Sequence, residues 1–140
     1  MKDIRVVLAD DHAMVRTSIK RLLSRFPGIQ VVGEASNGIE AIQTVTLLEP
    51  DILLLDLEMP ELNGLEVLGA LQASHSPVRT LVLSAYDDKQ YVRELLNHGA
   101  AGYLTKDEAA DSIIEAIHGI ANGEDGWFSE RIEKQVSRLG

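Results

Sequence analysis

Ile52-Leu53-Leu54-Leu55-Asp56-Leu57-Glu58-Met59-Pro60 runs four apolar side chains into a carboxylate and reaches a proline four residues later. Successive strand residues point to opposite faces, so an unbroken apolar run suits a strand covered on both sides, the hallmark of a parallel sheet. A carboxylate inside such a strand is costly unless it is solvated or paired. Asp56 therefore sits at the strand mouth or has a partner that needs it.

The rest of the chain repeats the theme. Short apolar runs at Ile4–Ala9, Gln30–Ala35, Asp51–Leu55, Arg79–Ser84 and Ala101–Leu104 alternate with segments whose apolar residues fall at helical spacing. These are Val15, Ile19, Leu22, Leu23 and Phe26 before Pro27-Gly28; Ile42, Val45 and Leu48 before Pro50; Leu65, Leu68 and Leu71 after Asn63-Gly64; Val92, Leu95 and Leu96 before Gly99; and Ala110, Ile113, Ile114, Ile117 and Ile120 before Asn122-Gly123. Five strand–helix repeats predict an α/β fold: a doubly wound, five-stranded parallel sheet, flavodoxin-like, of order 2-1-3-4-5. Its functional crevice lies at the carboxyl ends of strands 1 and 3.

Composition narrows the function classes. The 140 residues contain no cysteine, which excludes disulfides and thiolate metal sites. A net charge of −9 argues against unaided binding of nucleic acid, which requires a concentrated basic surface. Arg16, Lys20, Arg21 and Arg25 are the nearest approach to one and read as a solvated helix face or a dock for an acidic partner. No membrane-length apolar run and no signal sequence is present, so the expected location is cytoplasmic.

In a parallel sheet the strand ends share one edge. Strand 1 is followed by Asp10-Asp11, strand 3 by Asp56 and strand 5 by Thr105-Lys106, while strand 4 ends at Ser84. Each residue alone has an ordinary explanation as turn, loop or helix-cap chemistry. Together they make a small phosphoryl-transfer site. Carboxylates about 4 Å apart repel by roughly 4 kcal/mol at an effective dielectric near 20, and a hard cation such as Mg²⁺ relieves this. Lys106 can orient a carboxylate or hold an anion, Ser84 can donate to a phosphoryl oxygen, and a carboxylate is available as nucleophile. His12 is a tempting further ligand but begins the first helix. His75, His98 and His118 stand singly in helical or loop contexts.

The set Leu8-Ala-Asp-Asp-His12, Leu53-Leu-Leu-Asp-Leu-Glu-Met-Pro-Glu-Leu-Asn-Gly64, Leu81-Val-Leu-Ser-Ala-Tyr86 and Gly102-Tyr-Leu-Thr-Lys-Asp107 resembles the receiver (CheY-like) domain of two-component response regulators, over residues 4–121. The spacing matches as well: 28 residues separate Asp56 from Ser84, and 22 separate Ser84 from Lys106. The resemblance implies that Asp56 is the phosphoacceptor for a sensor histidine kinase. It implies that Asp10, Asp11, Asp56 and the backbone carbonyl of Glu58 hold Mg²⁺, that Lys106 pairs with the phosphoryl group, and that Ser84 moves to hydrogen-bond it. Tyr103 would then be the switch aromatic that changes the surface of helix 4, strand 5 and helix 5. Glu58 and Tyr86 would flank the phosphoryl group and tune its lifetime, with small Ala85 leaving room for the donor. Asp107 follows Lys106 where many receivers have proline, which removes a prolyl constraint but no reactive group.

The first and last motifs are most similar to the NarL/FixJ subfamily, whose members usually carry a LuxR-type helix-turn-helix domain. The expected organisation is a receiver over 1–121 and a linker or terminal helix over 122–140, with Ile132, Val136 and Leu139 on one face, the linker reading leading to a C-terminal helix-turn-helix domain absent from these residues. The expected function is a switch that assists its own phosphorylation and dephosphorylation, forms a homodimer when phosphorylated and controls transcription through that domain, with no membrane partner. A stand-alone phosphorelay or docking module is the alternative. A Mg²⁺-dependent phosphohydrolase is less favoured, because no segment is long enough for a substrate cap.

Overall fold

The computed structural model describes residues 3–57, 59, 61–84 and 89–128, with side chains described outside 89–91, 96, 107–111 and 128. Strands and helices alternate in the order β1 (Ile4–Ala9), α1 (Ala13–Leu23), β2 (Ile29–Ala35), α2 (Gly38–Leu48), β3 (Ile52–Asp56), α3 (Gly64–Ala73), β4 (Arg79–Ser84), α4 (Lys89–Asn97), β5 (Gly102–Thr105), α5 (Lys106–Ala121) and β6 (Trp127–Phe128). All strand pairings are parallel and the sheet order is β2-β1-β3-β4-β5-β6. The five-stranded 2-1-3-4-5 sheet read from the sequence is present, extended by a sixth strand on the outer edge of β5.

Alternation along β3 explains its unbroken apolar run. Leu53 and Leu55 face the layer of α2, α3 and α4, joining Val7, Val82, Val45, Val67, Leu68, Leu71 and Leu95. Ile52 and Leu54 face the other layer with Val6, Leu8, Leu81, Leu23, Ile113, Ile117 and Ile120. Burial of each such side chain contributes about 1.5–3 kcal/mol, and the central strands contribute on both faces. This layering fixes the register and so fixes which residues reach the strand ends.

Helix boundaries follow local chemistry. α1 stops at Leu23, short of Phe26, and the Phe26 amide donates back to the Leu23 carbonyl at 3.0 Å. Asn37 caps α2 by accepting from the Glu40 amide at 2.9 Å. Asn63 and Glu66 make a reciprocal capping box at the start of α3, with bonds of 3.0 and 3.2 Å. That cap anchors the chain emerging from the end of β3.

The segment after residue 121, expected as a linker or as a terminal helix packed on the domain, is described as far as residue 128, and Trp127–Phe128 pair with β5 as strand β6. Two residues without an alternating run carry no strand signature. Tyr103 lies between β4 and β6 and is 1% exposed. The face formed by Ile132, Val136 and Leu139 lies outside the described residues.

Candidate phosphoacceptor site

The site is built by register. Ala9 is paired with Leu55, so Asp10 and Asp56 leave adjacent strands side by side. Asp56 is paired with Leu83, which brings Ser84 to the next step, and Ser84 is paired with Thr105, which brings Lys106. Four parallel strands thus deliver one polar group each to one edge. Asp56 is the last residue of β3 rather than the first residue after it, and it is 2% exposed. Of the two options for this carboxylate, the structure supplies the partner.

That partner is Lys106, the first residue of α5. Its Nζ stands 3.3 Å from Asp56 Oδ1 and 3.5 Å from Asp10 Oδ2. Burial of the ammonium disfavours its charge, but the carboxylates of Asp56 and then Asp10 outweigh burial and hold the Lys106 pKa above its usual value. Ser84 and Thr105 are fully buried at the adjoining strand ends.

Asp10 is positioned by its own backbone. Its amide donates to the Ala35 carbonyl at 3.0 Å, its carbonyl accepts from the Arg16 guanidinium, and its Oδ1 accepts from the His12 amide at 2.8 Å. His12 is the N-cap of α1, and its Nδ1 lies 3.2 Å from Asp10 Oδ1 and 3.0 Å from Asp11 Oδ1. By sequence His12 is a helix start and Arg16 belongs to a basic helix face. Both touch the site. The signal for His12 was its adjacency to the paired aspartates, but only the β1–α1 turn shows that its ring points back at them.

Asp10, Asp11, His12 and Asp56 offer ligand atoms that all lie within 4.8 Å of one another. Three carboxylates with one imidazole suit a small divalent cation, and the oxygen majority suits a hard one. Glu58 and Tyr86, expected to tune the phosphoryl lifetime, lie outside the described residues, as does Ala85. The expected Glu58 carbonyl ligand lies there too.

The model of the response regulator receiver domain matches residues 6–118. The nitrate/nitrite response regulator protein NarL of Escherichia coli K12 is 44% identical over 119 residues, covering 85% of this chain and 55% of that protein. The transcriptional regulatory protein DegU of Brevibacillus brevis is 40% identical over 120 residues, covering 86% of this chain and 51% of that protein. This chain spans about half the length of these relatives. The signal receiver domain of the response regulator NarL from Mycobacterium tuberculosis superposes with a TM-score of 0.85 at 37% identity, covering 89% of this chain and all of that one. The match is to the receiver domain of a signalling switch and does not favour the phosphohydrolase reading. With the strand order, the edge cluster and these likenesses in agreement, the chain belongs to the response regulator receiver domain family, in its NarL/FixJ branch.

Proposed function

We propose that this chain is a phosphorylation-controlled switch in which Asp56 accepts a phosphoryl group from the phosphohistidine of a sensor kinase. A carboxylate oxygen of Asp56 attacks phosphorus, the bond from phosphorus to the donor imidazole nitrogen breaks, and the donor leaves as a histidine. The observation that carries this is a buried carboxylate facing one lysine and two further carboxylates at the end of a central strand. Asp10, Asp11 and Asp56, with the Glu58 carbonyl, would hold Mg²⁺, which when bound neutralises charge on the phosphoryl oxygens.

Lys106 orients the Asp56 carboxylate before transfer and pairs with the phosphoryl group after it. The Ser84 hydroxyl donates to a phosphoryl oxygen, and Tyr103, on the strand next to Ser84, follows that movement. The output is an altered α4–β5–α5 surface, a local charge change read by a two-state element. That surface supports a homodimer, which controls transcription through a DNA-binding domain beyond this chain; the protein works in the cytoplasm. Glu58 and Tyr86 set the lifetime of the acyl phosphate by governing access of water, and the protein thereby assists its own dephosphorylation. An unchanged half-life in both Glu58→Ala and Tyr86→Ala would reject that last role.

The test is incorporation of labelled phosphate from acetyl phosphate, with and without Mg²⁺, in wild type and Asp56→Asn. One hydroxylamine-labile phosphoryl group per chain, dependent on Mg²⁺ and absent from Asp56→Asn, is the expected result. Incorporation that persists in Asp56→Asn would move the acceptor elsewhere, and no incorporation in wild type would sink the switch.

A further inference from the structure

Strand β6 lies in a seat shaped around one side chain. Trp127, the sole tryptophan of the chain, rests against two glycines from two different elements. A Cβ at Gly119 of α5 would stand 2.2 Å from Trp127 Nε1, 2.4 Å from Cε2 and 2.5 Å from Cζ2. A Cβ at Gly102 of β5 would stand 2.5 Å from the Trp127 carbonyl oxygen and 2.9 Å from its Cβ. β5 and α5 each omit a side chain where this segment lies.

Polar contacts hold the same segment. The amides of Gly126 and Trp127 donate to the Ala101 carbonyl at 3.0 and 3.2 Å. The Arg79 guanidinium donates to the Glu124 carbonyl at 2.7 Å and pairs with the Asp125 carboxylate. Gly123 and Gly126, at φ 92° and 78°, take the left-handed backbone that turns the chain between α5 and β6.

The seat is made jointly by β5 and α5, and those elements meet at Thr105-Lys106. Lys106 reaches Asp56 and Asp10, and Thr105 is the register partner of Ser84. A phosphoryl group on Asp56 would draw the Lys106 ammonium onto its own oxygens and shift the β5–α5 junction. A seat without room for a methyl group fits one arrangement of the two elements.

We propose that Glu124–Phe128 is a docked strap whose seating responds to the phosphoacceptor site: seated when Asp56 is bare, loosened when Asp56 is phosphorylated. This inference rests on the phosphoacceptor reading above.

The experiment is acrylamide quenching of Trp127 fluorescence in the whole chain, with and without Mg²⁺ and beryllofluoride, a stable phosphoryl mimic. Occupancy is read independently by ¹⁹F NMR. Bound beryllofluoride is expected to raise the quenching constant at least two-fold. Gly119→Ala should give the raised value without beryllofluoride and no further rise with it. Alanine favours a helix interior over glycine, so helix content should be retained by circular dichroism. Arg79→Ala, which releases the clasp from outside the seat, should shift quenching the same way and serves if Gly119→Ala fails to fold. Unchanged quenching with beryllofluoride demonstrably bound would overturn the strap while leaving the phosphoacceptor intact. Absence of any bound fluoride signal would overturn both, and unchanged quenching in the two variants would show that no such seat exists.

Discussion

Lys106 pairs with Asp10 and Asp56, while Asp11 meets the imidazole of His12. Among the described residues one ammonium therefore pairs with two of the three clustered carboxylates, and the metal-free protein carries their remaining repulsion. Removing one charge from a pair about 4 Å apart relieves roughly 4 kcal/mol gross at an effective dielectric near 20. Asp11 is about a third exposed, so solvent reduces this to about 1 kcal/mol. Asp11→Asn is expected to raise the metal-free melting temperature by about 3–5 °C, and to lose most of the extra stability that Mg²⁺ confers on wild type. Calorimetry in EDTA and in Mg²⁺ separates the two effects; a lower metal-free Tm would mean that the His12 contact outweighs the repulsion. Asp10, Asp56, Ser84 and Lys106 were legible as neighbours from the sequence because strand ends of a parallel sheet must share an edge. His12 and Arg16 were not, since a turn conformation rather than a strand register brings them in.

At the scale of elements, the chain leaving β3 is set by the start of α3. The Gly64 amide donates to the Leu57 carbonyl at 2.9 Å, and Asn63 and Glu66 lock the turn by their reciprocal bonds. Asn63→Ala removes the side-chain half of that box and is expected to cost about 1 kcal/mol, read as a lower urea midpoint with unchanged slope. Gly38, at the start of α2, packs on the same loop: a Cβ there would stand 2.2 Å from the Leu62 carbonyl oxygen. That obstacle is backbone, which cannot rotate away, so Gly38→Ala should cost more than Asn63→Ala and also slow phosphate incorporation at Asp56. Equal rates in Gly38→Ala and wild type would show that the 61–62 loop does not position the acceptor. The helices were readable because their apolar spacing and their Asn-Gly and Pro-Gly boundaries agree. β6 was not, because its strand character comes from Gly102 and Gly119 making room for Trp127, a tertiary fact with no local pattern.

Across the whole molecule, the sheet brings α1 and β2 together through one acidic residue. Glu34 of β2 accepts from Arg16 at 3.1 Å and from Lys20 at 2.9 Å, both on α1. Part of the basic row on α1, which by sequence suits a solvated face or an acidic-partner dock, is thus a clamp within the fold. The same Arg16 holds the Asp10 carbonyl, so the clamp also steadies one wall of the site. The hydrogen bond from Lys20 leads the effects that lower the Glu34 pKa, opposed by burial and aided by the charge of Lys20 and by Arg16. A carboxylate whose folded pKa is depressed contributes stability above its unfolded pKa and loses it as pH falls through the folded value. The Glu34 contribution is therefore present at neutral pH and fades below the ordinary carboxylate range. Because the pair is partly exposed, its size is a few tenths of a kcal/mol to about 1 kcal/mol. Glu34→Gln should be less stable than wild type at pH 7 by that amount in urea unfolding. The two curves should converge only as pH falls through the depressed Glu34 pKa, below the ordinary carboxylate range, where the wild-type carboxylate also becomes neutral. A gap that persists undiminished into that acid range would assign the loss to packing of the side chain rather than to its charge.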